Sequence, residues 1–392
     1  MEDYYRQTRV EIDLDALDHN LNEFRRTILP GQKILASVKA NAYGHGAVGI
    51  ARAAERWGID YAGVAFLDEA IELRNAGVQV PILVLGYTPP EGIPAALEHN
   101  ITLNVFHEDL LTAAAKLASA ERPLKVHLKV DTGMGRLGVL ADGEAVPFVE
   151  KAVSIPEIMV EGLFTHFASA DEADKEYTYS QYAKFKQVID ELEAKGIRIP
   201  LIHAGNSAAG IDLPELSCSM VRLGIAMYGL YPSEEVDKNK VKLKPVMSFK
   251  TALTHIKTLP PGSGISYGTI YHTDGEALIG TLPVGYADGF SRMATGKAEA
   301  LIRGHKLPVV GRICMDQCMV NLTGLPEEVK ASLRVGEEAV IMGTQGDACI
   351  SAEEIALHLG TINYELTCMV ANRVPRVFLR GGKAAAVRNS LR

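Results

Sequence analysis

The chain has 392 residues, 47% of them hydrophobic and 22% charged, with a formal net charge of −8. This suits a globular protein with one large and one smaller domain, and the acidity opposes a broad nucleic-acid surface or a patch for anionic membranes. No apolar run reaches the length of a membrane span, Met1–Arg6 lacks a signal-peptide core, and five scattered cysteines make neither a disulfide scaffold nor a zinc site, so a cytosolic protein without metal is expected.

Residues Asp13 to Ile28 read as an amphipathic helix, with Leu14, Leu17, Leu21 and Phe24 at helical spacing. Apolar or β-branched runs follow at Lys33–Lys39, Tyr61–Phe66, Ile82–Leu85, Ile101–Phe106, Leu124–Val130, Val160–His166, Leu201–His203 and Met220–Ile225. The gaps hold helical patterns such as Ala47–Trp57, Leu67–Ala76, Glu108–Ala120 and Tyr179–Lys195. Eight strands alternating with helices predict an α/β fold, a (β/α)8 barrel over residues 12–242. A doubly wound open sheet is the alternative, weakened by the absence of GxGxxG after the first strand.

From Met247 the runs become short, β-rich and split by Gly or Pro: Phe249–Thr258, Ala277–Leu282, Ala300–Ile302, Val309–Val320 and Ala339–Met342. Only Ser351–Leu359 reads as helical, with Ser351 as N-cap and Glu354 three residues on. A mostly β domain is expected over 243–392, with an N-terminal strand within residues 1–11 attached to it.

Chemistry in a (β/α)8 barrel sits at the C-terminal ends of the strands. Lys39 leaves the first strand just before the glycine-containing loop Asn41-Ala42-Tyr43-Gly44-His45-Gly46. By itself it is either a solvated lysine or a desolvated, nucleophilic one able to form a Schiff base. Arg136 follows the fifth strand, His166 ends the sixth, Asn206 and Ser207 follow the seventh, and Arg222 lies in the eighth. Gly205-Asn206-Ser207 and Gly224-Ile225 stand where this fold often binds phosphate. Singly, His166 reads as structural, Arg222 as a salt-bridge residue, Ser207 as a helix cap and Lys129 as the partner of a carboxylate. Together, a lysine, a phosphate cradle and two arginines at one barrel mouth point to pyridoxal phosphate. In the second domain, Tyr267 and Tyr286 occupy glycine-flanked loops and Asp316 interrupts an apolar run; alone, each tyrosine reads as half-buried with a satisfied hydroxyl.

Eight stretches in order resemble alanine racemases, members of the fold-type III pyridoxal-phosphate enzymes: Val38–Gly46, Lys129–Arg136, His203–Ser207, Arg222–Ile225, Ile265–Gly268, Pro283–Gly289, Cys314–Gln317 and Thr361–Glu365. The resemblance implies a homodimer with each barrel mouth completed by the other subunit's β domain. It implies Lys39 as cofactor anchor and base on one face of the substrate, with Tyr267 of the partner subunit as base on the other and His166 and Arg222 behind it. It further implies Tyr43, Ser207, Gly224, Ile225 and Tyr364 at the phosphate, with Asn206 beside them, and Arg222 at the pyridine nitrogen. Arg136 would meet the cofactor's phenolic oxygen and, with the Met315 N–H, the substrate carboxylate; Tyr286 and Asp316 would line the entry, and Lys129 matches a position carbamylated in some members. Tyr364 and Met315 would crowd the substrate methyl. The expected reaction is interconversion of L- and D-alanine, supplying D-alanine for peptidoglycan. A serine or broad-specificity racemase and a non-catalytic pyridoxal-phosphate barrel are the rivals; relatives of the latter kind lack the second domain. Asn321 departs from the acidic residue expected there and is expected to leave the chemistry unchanged, and His45 is expected to be structural.

Overall fold

The computed structural model describes residues 4–392, so the first part of the strand expected within residues 1–11 lies outside the described residues. The chain forms two compact units, one of Leu17–Ala42 and Ala47–Lys244, the other of residues up to Ala16, Tyr43–Gly46 and Pro245–Arg392. The strand Arg9–Asp13 pairs antiparallel with Met247–Ala252 and parallel with Arg376–Arg380, which places it in the β-rich unit. Tyr43–Gly46 belongs there too, because the buried Arg376 guanidinium donates to the Gly44 carbonyl at 3.1 and 3.2 Å.

The first unit is a parallel barrel of eight strands: β1 (Lys33–Ser37), β2 (Tyr61–Val64), β3 (Ile82–Val84), β4 (Thr102–Val105), β5 (Leu124–Asp131), β6 (Ile158–Phe164), β7 (Leu201–His203) and β8 (Met220–Leu223). Strand β8 pairs with β1, with Arg222 opposite Leu35, which excludes an open doubly wound sheet. The ring closes between β7 and β8 through single bonds rather than a ladder, from Ser219 N–H to Ile202 O at 2.9 Å and from Arg222 N–H to Gly205 O at 3.0 Å. Strands β2 to β4 are buried along their whole length, as expected of a parallel sheet covered by helices. Leu35, Tyr61, Leu83 and Met220 pack together inside the barrel.

The β-rich unit is organised by one large sheet. Its strands run in the order His255–Leu259, Ala277–Leu282, Cys318–Asn321, His305–Val310, Glu299–Ile302, Glu338–Gln345, Met247–Ala252, Arg9–Asp13, Arg376–Arg380 and Lys383–Arg388. The run expected as Phe249–Thr258 is two strands with different neighbours, and that expected as Val309–Val320 is broken by the loop Gly311–Gln317. Among the described residues after Pro245, three α-helices form rather than one: besides Ala352–Leu359, capped by Ser351 Oγ accepting the Glu354 N–H at 3.1 Å, there are Glu327–Ser332 and Asn363–Cys368. Six residues make under two turns, too few to show a helical period.

Candidate active site

Strand β1 ends at Ser37, two residues before Lys39. The Val38 N–H still reaches Gly63 O at 2.8 Å, but the Ala40 N–H turns away to the Glu69 carboxylate at 2.7 Å. The other Glu69 oxygen accepts from Ala65 and Phe66 N–H, so this one carboxylate joins the turn after β1 to the turn after β2. Asn41 Oδ1 accepts the Ala47 N–H at 2.8 Å at the start of the helix Ala47–Trp57. Between these anchors Ala40, Asn41, Ala42 and Tyr43 have φ of 52°, 53°, 55° and 52°, one turn of left-handed helix without a glycine. Each such residue costs roughly 1–2 kcal/mol. Ala40 is exposed, so Ala40→Gly removes strain without removing packing. It is expected to raise stability by roughly 0.5–1 kcal/mol, read as a higher urea midpoint; a lower midpoint would show that the turn is unstrained.

Arg222, 5% exposed on β8, is surrounded by neutral acceptors. It donates to His203 Nδ1 (2.9 Å), His166 Nδ1 (2.9 Å), Thr165 O (2.9 Å) and Ala204 O (2.8 Å). Burial, then Arg136, lowers it to about 9, so it stays cationic at neutral pH. The salt-bridge role open to a lone arginine is not what forms. Lys129, 7% exposed on β5, likewise forms no ion pair among the described residues, contrary to the simplest expectation for it. Its Nζ lies 4.3 Å from the centre of the Phe164 ring. Burial first, then Arg222 and Arg136, holds it well below the usual lysine range, favouring the neutral amine. His166 is held well below the usual histidine range by burial first, then by the positive charges of Arg222, Lys129, Arg136 and Lys39.

His203 and His127 are fully buried, and burial followed by Arg222 lowers both, His127 to about 3. Histidines kept neutral in the fold stabilise it at pH above their ordinary 6.5; this is lost as pH falls, because the unfolded chain takes up protons that the folded chain does not. Two such protons give a slope of about 3 kcal/mol per pH unit at most below pH 6. Urea midpoints at pH 7 and pH 5 check this, and equal values would refute it.

At the ends of β7 and β8, Asn206 rather than Ser207 caps the helix Ser207–Asp212, its Oδ1 accepting the Ala209 N–H at 3.0 Å. Ser207 Oγ instead accepts from Gly224 N–H at 2.9 Å and Ala226 N–H at 3.4 Å, where the 3₁₀ turn Ile225–Tyr228 starts. A hydroxyl and the N–H groups of two helical starts meet here, a donor set suited to a phosphate. Arg222 without a carboxylate partner also suits an anionic group at the barrel mouth. Among the described residues no group of three or more His, Cys, Asp or Glu side chains could hold a metal, and no helix is long and apolar enough to cross a membrane.

The remaining candidates lie in the β-rich unit. Tyr43 and Tyr364 have ring centroids 6.2 Å apart. Tyr267, 70% exposed, and Met315, 53% exposed, line an open cleft of about 610 Å³ with Ser266, Cys314, Asp316 and Gln317. Tyr267 is therefore not the half-buried tyrosine with a satisfied hydroxyl that its loop alone suggests. Beside the cleft, Tyr286 and Ala287 N–H bond to Cys314 O and Met315 O, each at 3.0 Å. Gly285 permits this approach, since a Cβ there would lie 2.3 Å from Cys314 O. Arg373 bridges the fully buried Asp288 (2.8 Å) and Asp316 (2.6 Å). Asn321 donates to the Tyr271 hydroxyl at 3.1 Å, and His45 Nδ1 lies 3.0 Å from Tyr43 O. The sequence alone assigns no role to His127, His203 or Glu69. The alternation Lys125, His127, Lys129 along β5 was the available signal for the first.

A parallel barrel with amine, guanidinium and imidazole groups gathered at its strand ends, joined to a β-rich unit, has the architecture of an enzyme. The family model for the alanine racemase N-terminal domain matches residues 12–232 and that for the alanine racemase C-terminal domain matches residues 246–378. The chain belongs to the alanine racemase family, whose members are isomerases. It is 46% identical over 390 residues to alanine racemase 1 of Clostridium acetobutylicum, covering 98% of this chain and 99% of that one. With the alanine racemase of Geobacillus kaustophilus it shares 45% identity over 392 residues, covering 100% and 99%. Among solved structures, alanine racemase of Clostridium difficile 630 superposes with a TM-score of 0.93 at 41% identity over the whole of both chains. The Bacillus anthracis alanine racemase with bound L-Ala-P gives 0.93 at 41% identity, covering 100% and 99%.

Proposed function

We propose that this chain interconverts L- and D-alanine with pyridoxal 5'-phosphate, as a homodimer whose sites draw residues from both subunits, and that its D-alanine goes to peptidoglycan. The observation that carries the reading is Arg222, a buried cation with only neutral partners, its charge acting with that of Lys39 on His166. The full-length family match supports the substrate. Lys39 would hold the cofactor through its amine, Ser207, Asn206, Gly224, Ile225, Tyr43 and Tyr364 its phosphate, Arg136 its phenolic oxygen, and Arg222 would face its ring nitrogen. When bound, pyridoxal phosphate supplies an aldehyde that condenses with amines and a ring that withdraws electrons from the Cα–H bond.

The chain's own groups then handle the proton. Released Lys39 takes or gives it at Cα from one face, and Tyr267 of the partner subunit acts from the other, since inversion requires removal and return on opposite faces. Arg136 and the Met315 N–H fix the substrate carboxylate, while Met315 and Tyr364 restrict the side-chain space to a methyl group. Tyr286 and Asp316 line the way in. Arg222 only donates, so it cannot protonate the ring nitrogen by giving up its own proton, which restrains transamination. Lys129, as a neutral amine, can add to CO₂ with loss of one proton, and the resulting carbamate would supply an anion for Arg136; intact mass measured under CO₂ reads this directly.

The deciding assay follows D-alanine formed from L-alanine by the purified, cofactor-loaded protein. Absence of D-alanine rejects the activity, and equal turnover of serine rejects the substrate assignment in favour of a broad-specificity racemase.

A further inference from the structure

The hydrogen bonds of Arg222 continue into the barrel interior. His203 Nε2 lies 2.9 Å from His127 Nδ1, and nothing in the proposed chemistry touches His127. A guanidinium can only donate, so His203 Nδ1, which faces Arg222, carries no proton. His203 therefore holds its proton on Nε2 and donates it to His127 Nδ1. His127 in turn must carry its proton on Nε2, which is buried without a hydrogen-bond partner. The His127 ring lies among aromatic rings, its centroid 5.9 and 6.4 Å from those of Tyr61 and Phe164.

The backbone is arranged to admit this ring. His127 sits opposite Gly162 on β6, just after a bulge that shifts the register of β5 against β6. A Cβ on Gly162 would lie 2.4 Å from His127 Nδ1. Phe164 then stacks on His203 at 4.7 Å with planes 6° apart, which leaves His203 little freedom except to turn about its own ring axis. Such a turn would break its bond to Arg222, and the bond to His127 opposes it.

We propose that His127 is a positioning residue for Arg222, locking His203 in one tautomer and one orientation so that the guanidinium is held as a cation without a carboxylate. Its catalytic consequence rests on the function proposed above. The relay itself does not, so it is tested separately. Long-range ¹H–¹⁵N correlation on histidine-labelled protein at pH 7, assigned with single-histidine variants, should show His127 and His203 both neutral and protonated on Nε2. A proton on Nδ1 of either, or a doubly protonated ring, overturns the proposal.

For catalysis, His127→Leu leaves the His203 Nε2–H without an acceptor and should lower kcat roughly tenfold to thirtyfold, with the KM for alanine within about twofold. His127→Asn, whose Oδ1 takes the place of Nδ1, should restore most of kcat. A leucine variant as fast as the parent, or an asparagine variant as slow as the leucine one, overturns the positioning role. If the parent chain does not racemise alanine at all, the function reading fails and the tautomers alone decide the relay.

Discussion

Tyr267→Phe should abolish racemisation while leaving the protein folded and able to bind its cofactor. The side chain is 70% exposed in an open cleft, and the substitution removes one oxygen atom, so no core packing is lost. On the proposed mechanism, what would be lost is the proton carrier on one face of Cα. Removing a general acid–base group typically costs 10²- to 10⁴-fold. The loss should be uneven in a way that a structural defect could not mimic. In D₂O, the Lys39 amine should still exchange the Cα proton of one enantiomer of alanine, and exchange of the other should cease. Mixing Tyr267→Phe chains with Lys39→Ala chains, each inactive alone, should restore activity, because one of the two sites in a mixed dimer would then hold both intact residues. Full activity in the single variant, or loss of exchange from both enantiomers, would sink the two-base assignment. Mixed chains that stay inactive would sink the shared site.

The legible parts of this protein were those in which side-chain chemistry repeats along the chain. Apolar runs at β1 to β8 alternating with helical patterns gave the barrel, and the polar residues at their ends gave the candidate site residues that lie on it. The left-handed turn at Ala40–Tyr43 was not legible. Alanine and tyrosine carry no signal for that conformation, which is imposed by Glu69 and Asn41 holding its backbone from either side. The breaks within the runs Phe249–Thr258 and Val309–Val320 were hidden for a related reason. Continuous hydrophobicity reports burial but not which strand is the neighbour, and Gly285 admits the Cys314–Met315 backbone from thirty residues away. The two histidines behind Arg222 show the same limit. His127 lies on a visible alternation in β5, yet its need for Gly162 on β6 and for His203 on β7 is a matter of pairing in space.

Arg222→Glu should have a comparably large effect, with a different signature. The parent guanidinium satisfies two imidazole nitrogens and two carbonyls at 2.8–2.9 Å. A carboxylate in its place accepts where those four groups also accept, so each loses its donor. Breaking a buried charged network of this kind costs roughly 3–5 kcal/mol, which corresponds to a fall in racemisation of about 10²- to 10⁴-fold where it falls on the transition state. The electrostatics of the site also reverse. Arg222 is a leading charge holding His166, His203 and Lys129 below their ordinary ranges. With an anion there instead, these groups should rise toward protonation, and the loss of stability below pH 6 should become shallower. A carboxylate can also share a proton with the ring nitrogen, as arginine cannot, so pyruvate formed per alanine racemised should increase. The measurements are kcat for racemisation, pyruvate yield, and urea midpoints at pH 7 and pH 5. Reduced racemisation with no rise in pyruvate would mean that Arg222 holds the site together without governing reaction specificity.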